Sequence, residues 1–134
     1  MKKKIHVVGA AILRDGKVLV LQRGFEKSLP GLWEFPGGKV EAQENEKQAL
    51  IREIQEELNM DILIEKYIAT NIHTYDFAEV ELSVYTARMH TNAEIELTEH
   101  IAYKWLLPSE LEQIEWAPAD IPIVKQLQVV LSSL

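Results

Sequence analysis

The chain contains no cysteine, which excludes disulfide staples, thiolate metal sites and a cysteine nucleophile. A chain with no disulfide framework fits a reducing compartment, so a cytoplasmic location is expected. It also lacks any apolar run near the ~18 residues that a membrane span requires. The opening MKKKIHVVGAAIL carries His6 and has no small-residue cleavage site, so it reads as a first strand rather than a signal peptide. Basic excess is missing as well. Against 21 Asp and Glu stand 14 Lys and Arg, a net charge of −7, which argues against binding nucleic-acid polymers because nonspecific affinity for phosphate backbones needs clustered cations. A small phosphorylated ligand stays open, since a bound divalent cation inverts the local field. No internal repeat or low-complexity tract is present.

What is there is the balance of a globular protein. The 134 residues are 47% hydrophobic and 26% charged, enough for one domain, residues 1–134, with a core of its own. Ile5 to Leu13 and Lys17 to Arg23 are rich in valine, isoleucine and leucine, and Arg14-Asp15-Gly16 between them supplies hairpin-turn chemistry. Residues 24–40 hold two prolines and four glycines, which predicts a long loop interrupted at most by a short strand near Trp33 to Phe35. Long loops inside compact domains are usually functional.

From Glu44 to Leu58, the residues Ala49, Leu50, Ile54 and Leu58 share one helical stripe, with Asn59 placed for a left-handed cap. Strands follow over Asp61 to Thr74, Val80 to Arg88 and Ala102 to Leu107, then helices over Pro108 to Ile114 and Asp120 to about Leu131. This order predicts an α+β fold, an α/β/α sandwich with helices on both faces of a mixed sheet.

Glu53, Glu56 and Glu57 lie within an arc of about 100° on that helix, at the edge of its buried stripe. Like charges so close cost helix stability unless something positive holds them together. Just upstream, Phe35-Pro36-Gly37-Gly38-Lys39 offers a glycine pair where backbone can approach a ligand closely. A glycine loop beside a carboxylate helix describes a site for a hard cation such as Mg²⁺, which takes only oxygen ligands and typically joins carboxylates to substrate phosphates. His6, His73, His90 and His100 show no metal-ligand spacing, and His73, Tyr75 and Phe77 alternate as one face of a strand. No catalytic role is assigned to any of them, and His73 or Tyr75 could at most line a pocket.

Gly38, five residues, Glu44, seven residues, then Arg52-Glu53-Ile54-Gln55-Glu56-Glu57-Leu58-Asn59-Met60 resembles the signature GX5EX7REUXEEXGU of the Nudix hydrolases, where U is a bulky aliphatic residue. The one departure is Asn59 in place of glycine, a change that touches the helix end rather than the chemistry. The likeness extends over most of the chain and is nearest to the MutT-like branch, whose members act on 8-oxo-dGTP or CTP. It implies Mg²⁺, with Mn²⁺ as a substitute, held by Glu53, Glu56, Glu57, Glu99 and the backbone of Gly37 or Gly38. It also implies that Arg52 orients the carboxylates and that Glu44 supports the loop-helix junction.

The same resemblance makes Glu53 or Glu99 the general base that takes a proton from water as the water attacks the β-phosphorus of a nucleoside triphosphate, giving a monophosphate and pyrophosphate. Arg23 and Lys39 would contact phosphates, Glu34, Phe35, Pro36 and Gly37 would line the nucleoside pocket, and Asp120 would read the base. An ionised Asp120 only accepts hydrogen bonds, which suits a cytosine amine or the N1–H and amino group of a guanine. Hydrolysis of a diphosphate derivative such as ADP-ribose, or a non-catalytic nucleotide sensor, are the competing readings. The protein is expected to be a monomer or weak homodimer with no membrane partner.

Overall fold

The computed structural model describes residues 3–90 and 94–132, so the two ends of the expected 1–134 domain lie outside the described residues. Strand β1 (Lys3–Arg14) turns at Asp15-Gly16, both with positive φ, into β2 (Lys17–Gln22). Two successive left-handed residues are what a tight hairpin turn between right-twisted strands demands. Next come β3 (Trp33–Glu34), β4 (Gly37–Lys39), α1 (Glu46–Leu58), β5 (Ile62–Thr74), β6 (Ala78–Met89), β7 (Ala102–Leu106) and α2 (Ile121–Ser132).

The sheet runs β3-β2-β1-β6-β5, with β4 also on β1 and β7 also on β2; β1 and β6 are parallel and the other pairs antiparallel. The mixed sheet is therefore as expected, and its faces follow from strand periodicity. Val8, Ala10, Ile12, Leu19 and Leu21 point to one side and pack under Ala49, Leu50, Ile54 and Leu58 of α1. Ala11, Val18 and Val20 point to the other and meet Ile123, Val124 and Leu127 of α2.

β1 and β2 pair only at their hairpin end, where Leu13 faces Val18. Beyond it they separate, and residues 33–39 fill the wedge, β3 adding to β2 and β4 adding to β1. Within the expected loop, β4 is a correction: a Gly-Gly-Lys strand has no apolar alternation to announce it, and its place is fixed by pairing with Val7, Val8 and Gly9. The expected helix over Pro108 to Ile114 is also corrected, to a tighter 3-10 turn over Pro108–Gln113. Helix α1 starts at Glu46 rather than Glu44 because Asn45 caps it, accepting from Gln48 N while the Gln48 side chain accepts from Asn45 N. Asn59 takes the left-handed conformation at its end, φ 50°.

Candidate active site

The wedge brings the glycine pair against α1. At Gly37, φ is +156° and a side chain would run into the Val8 carbonyl, while a methyl group on Gly38 would overlap the Glu53 carboxylate. Gly37 N donates to Glu57 Oε1 at 3.0 Å. Glycine at 37 thus lets β4 close on β1 with the Gly37 N–H under Glu57, and glycine at 38 leaves room for the Glu53 carboxylate.

Arg52 supplies the positive charge that the acidic helix requires. Its Nε and Nη2 donate to the two oxygens of Glu44 at 2.7 and 2.9 Å, its Nη1 donates to Glu53 Oε1 at 2.8 Å and Glu56 Oε2 at 3.3 Å, and Nη2 also reaches the Lys39 carbonyl at 3.0 Å. Glu44, half-buried, is held below the usual carboxylate range by the Arg52 hydrogen bonds. Glu53 and Glu57 behave differently. Burial raises the pKa of Glu53 despite Arg52, and burial pushes Glu57 up to about 7, against the opposing pull of His100 and the Gly37 N–H. Buried carboxylates crowded around a glycine backbone have a shortage of positive charge that a divalent cation would relieve, and the donors are all oxygen, as Mg²⁺ requires. Glu53 and Glu57 lie against the glycine backbone and Glu56 stands beside Arg52, 60% exposed, an all-oxygen donor set of the kind a hard cation takes.

Arg23 leaves the end of β2 and donates through Nη1 to Glu34 at 3.1 Å, while Nε and Nη2 hold the carbonyl and hydroxyl of Ser28. Between these groups runs a cleft of about 260 Å³, lined by Arg23, Glu34, Phe35, Gly37, Tyr75 and Asp120 among others. A smaller hollow of about 150 Å³ continues it past Glu57 to Lys27, Glu99 and His100. One end is thus aromatic and the other charged. Phe35, buried, packs its ring 4.9 Å from Trp116, and Tyr75 stacks on Phe77 and accepts from Ala119 N. A larger hollow of about 550 Å³ near Arg14, Arg88 and Leu131 lies away from the glycine pair and the carboxylate helix.

Asp120 arrives from far along the chain because residues 115–117 pair with Trp33: Trp33 N donates to Glu115 O and Ala117 N to Trp33 O. Its carboxyl accepts from Phe35 N at 3.2 Å. Burial, reinforced by the Glu34 charge, raises its pKa well above the ordinary aspartate value. In its protonated form this carboxyl donates as well as accepts, where the ionised form only accepts.

Glu99 stands at the rim, 70% exposed at its side chain, with Oε2 3.6 Å from Lys27 Nζ. Lys39 is exposed along the same cleft. His100 is the residue that sequence reasoning passed over. Its ring is only 8% exposed, with Nε2 2.8 Å from Glu34 Oε2 and Nδ1 3.9 Å from Glu57 Oε2. Burial pulls its pKa down, but the Glu34 hydrogen bond and the Glu57 charge outweigh burial and the net shift is upward. Residues 34, 57 and 100 share no local spacing, so nothing in the sequence pattern announces the cluster. Among the described residues, the group of three that does bring its ligand atoms within 4.8 Å of one another is a separate one, His6, Glu46 and Glu81. There His6 and the Tyr85 hydroxyl both bind Glu46, so this group reads as an ion-pair network under the start of α1.

A splayed sheet thus lays a glycine backbone against a carboxylate helix, beside a cleft with an arginine at its charged end. The NUDIX domain family matches residues 3–127. The CTP pyrophosphohydrolase of Escherichia coli K12 is 39% identical over 129 residues, 92% of this chain and 90% of that protein. A putative 8-oxo-dGTP diphosphatase 2 of Mycobacterium tuberculosis H37Rv is 36% identical over 115 residues, 85% of this chain and 81% of the other. The solution NMR structure of the DNA mismatch repair protein MutT, family Nudix hydrolase, from methicillin-resistant Staphylococcus aureus 252 superposes with a TM-score of 0.79 at 48% identity, covering 97% of this chain and 99% of that one. The chain belongs to the Nudix domain family.

Proposed function

We propose that this Nudix hydrolase is a Mg²⁺-dependent nucleoside triphosphate pyrophosphohydrolase of the cytoplasm, a monomer or weak homodimer, acting on CTP or dCTP or on oxidised guanine nucleotides such as 8-oxo-dGTP. The observation that carries this reading is the contact of Glu53 and Glu57 with the side-chain-free backbone of Gly37 and Gly38. Its relatives named for CTP and for 8-oxo-dGTP support the substrate class.

Bound at Glu53, Glu56 and Glu57, the cation would neutralise the phosphate chain and activate the water nucleophile. The chain's own residues do the rest. Arg52 holds Glu53 by Oε1, leaving Oε2 turned toward Gly38. With Oε1 held by Arg52, Glu53 has Oε2 to take the proton of the attacking water, so Glu53 serves as general base, with Glu99 as the alternative. Arg23 and Lys39 steady the phosphates. Phe35 presents an apolar wall to the base, and Asp120 reads its polar edge with a carboxyl that donates or accepts.

A pyrophosphate-release screen with Mg²⁺ across the ordinary nucleoside triphosphates, modified cytidine triphosphates and 8-oxo-dGTP, with ADP-ribose as a phosphate-release control, tests the proposal. Preference for CTP or dCTP assigns Asp120 to a cytosine edge, and preference for 8-oxo-dGTP assigns it to a purine. Turnover of ADP-ribose alone would refute the triphosphate reading, and no turnover of any kind would favour a nucleotide sensor.

A further inference from the structure

Glu99 poses a mechanical problem. Its side chain is largely in solvent and touches Lys27, itself 42% exposed, so the carboxylate has little to fix it. The residues around it are held on both sides. Thr98 Oγ1 donates to the Glu57 carbonyl at 3.2 Å, and Ile101 N donates to the Gln22 carbonyl at 3.1 Å. Between them the His100 ring is sunk into the cleft against Glu34 and Glu57, and Glu34 is itself clamped by Arg23. One imidazole therefore ties the segment before β7 to β3 and to the carboxylate end of α1.

We infer that His100 is a positioning residue: by docking on Glu34 beside Glu57 it holds the 98–101 backbone so that Glu99 can swing from Lys27 to the charged end of the cleft. This rests on the reading of Glu99 as part of the site. A carboxylate on a pinned backbone has only its own rotamers to search, whereas one on a loose segment must order several residues in each turnover. His100 touches neither water nor substrate in this role. Its effect reaches the reaction through Glu99.

The test is a double-mutant cycle of His100→Ala and Glu99→Gln, read by steady-state pyrophosphate release with whichever triphosphate the wild-type protein turns over, together with amide hydrogen exchange of residues 97–101 without nucleotide or metal. His100→Ala is expected to lower kcat about tenfold or more while KM stays within about threefold, and to cost less than about threefold in the Glu99→Gln background, because the residue it positions is already disabled. Exchange of the Ile101 amide, the one in this segment that donates to another strand, should quicken about tenfold or more in His100→Ala and stay at the wild-type rate in Glu99→Gln. His100→Gln, long enough to donate to Glu34, should recover most of both losses; His100→Asn, polar but too short, should not, and it replaces His100→Ala if the latter fails to fold.

Losses that multiply through the cycle, or unchanged exchange in His100→Ala and His100→Asn, would overturn the inference. Full activity of Glu99→Gln would overturn it too, by removing the reading on which it rests, and the exchange data report the anchoring separately from that failure.

Discussion

Glu57 makes the metal-free protein lose stability as pH rises. Its carboxyl has a pKa of about 7 in the fold against 4.5 as the reference value for an exposed glutamate, with burial as the main cause. Between these values the folded state keeps a proton that the unfolded chain has released, so folding takes up a proton and the free energy of unfolding falls with pH. The full effect of such a shift is about 3 kcal/mol, of which about 2 kcal/mol falls between pH 5.5 and pH 8. His100 acts with the same sign: its pKa is raised above 6.5, so its contribution is complete below that value and is lost as pH climbs through the folded-state value. For a chain of this size, 2 kcal/mol corresponds to roughly 6 °C in Tm.

Calorimetry in EDTA from pH 5.5 to 8 should therefore show a fall of that order in the wild-type protein, and Glu57→Gln should flatten it, leaving the variant the more stable of the two at pH 8. Saturating Mg²⁺ should restore wild-type stability at high pH, since cation and proton compete for one carboxylate, and should restore much less in Glu57→Gln. A metal-free wild-type Tm that holds or rises from pH 5.5 to 8, or the same slope in Glu57→Gln, would refute the argument that burial strains this carboxylate.

Gly38→Ala should displace the Glu53 carboxylate, lowering kcat at least about tenfold and stability by about 1–3 kcal/mol, measured by pyrophosphate release and denaturant unfolding. Arg52→Ala removes the shared partner of Glu44, Glu53 and Glu56 and should cost about 2 kcal/mol, with Arg52→Lys a poor substitute because a single ammonium cannot span three carboxylates; chemical denaturation reads both. Asn59→Gly relieves a left-handed asparagine but loses its hydrogen bond to Glu96, so stability should change by less than about 1 kcal/mol and kcat should not change, as Tm and turnover will show. Hydrolysis in ¹⁸O-water should place the label in pyrophosphate, the mark of attack at the β-phosphorus; label in the monophosphate would move the attack to the α-phosphorus.

Much of this protein was legible in its sequence where local periodicity is strong. The alternation of β1 and β2 and the stripe of Ala49, Leu50, Ile54 and Leu58 name both faces of the sheet because burial selects them residue by residue. Strand β4 was not legible, since two glycines and a lysine have no intrinsic preference for extended structure and take it only from β1. The carboxylates of α1 announced themselves by spacing along one helix. His100 did not, because its partners Glu34 and Glu57 come from other elements. The raised pKa of Asp120 is likewise a consequence of burial beside Phe35 and Glu34, which no local pattern encodes.

The most direct test of the central claim is the turnover of the preferred triphosphate, with products resolved by ³¹P NMR, as Mg²⁺ is titrated into wild-type protein and Glu53→Gln, with Mn²⁺ binding to each followed by electron paramagnetic resonance. The account predicts a nucleoside monophosphate and pyrophosphate, no turnover in EDTA, and a loss on the order of 10²-fold or more in kcat for Glu53→Gln while Mn²⁺ still binds. Nucleoside diphosphate and orthophosphate as products, or Glu53→Gln within a few-fold of wild type with metal bound, would contradict it.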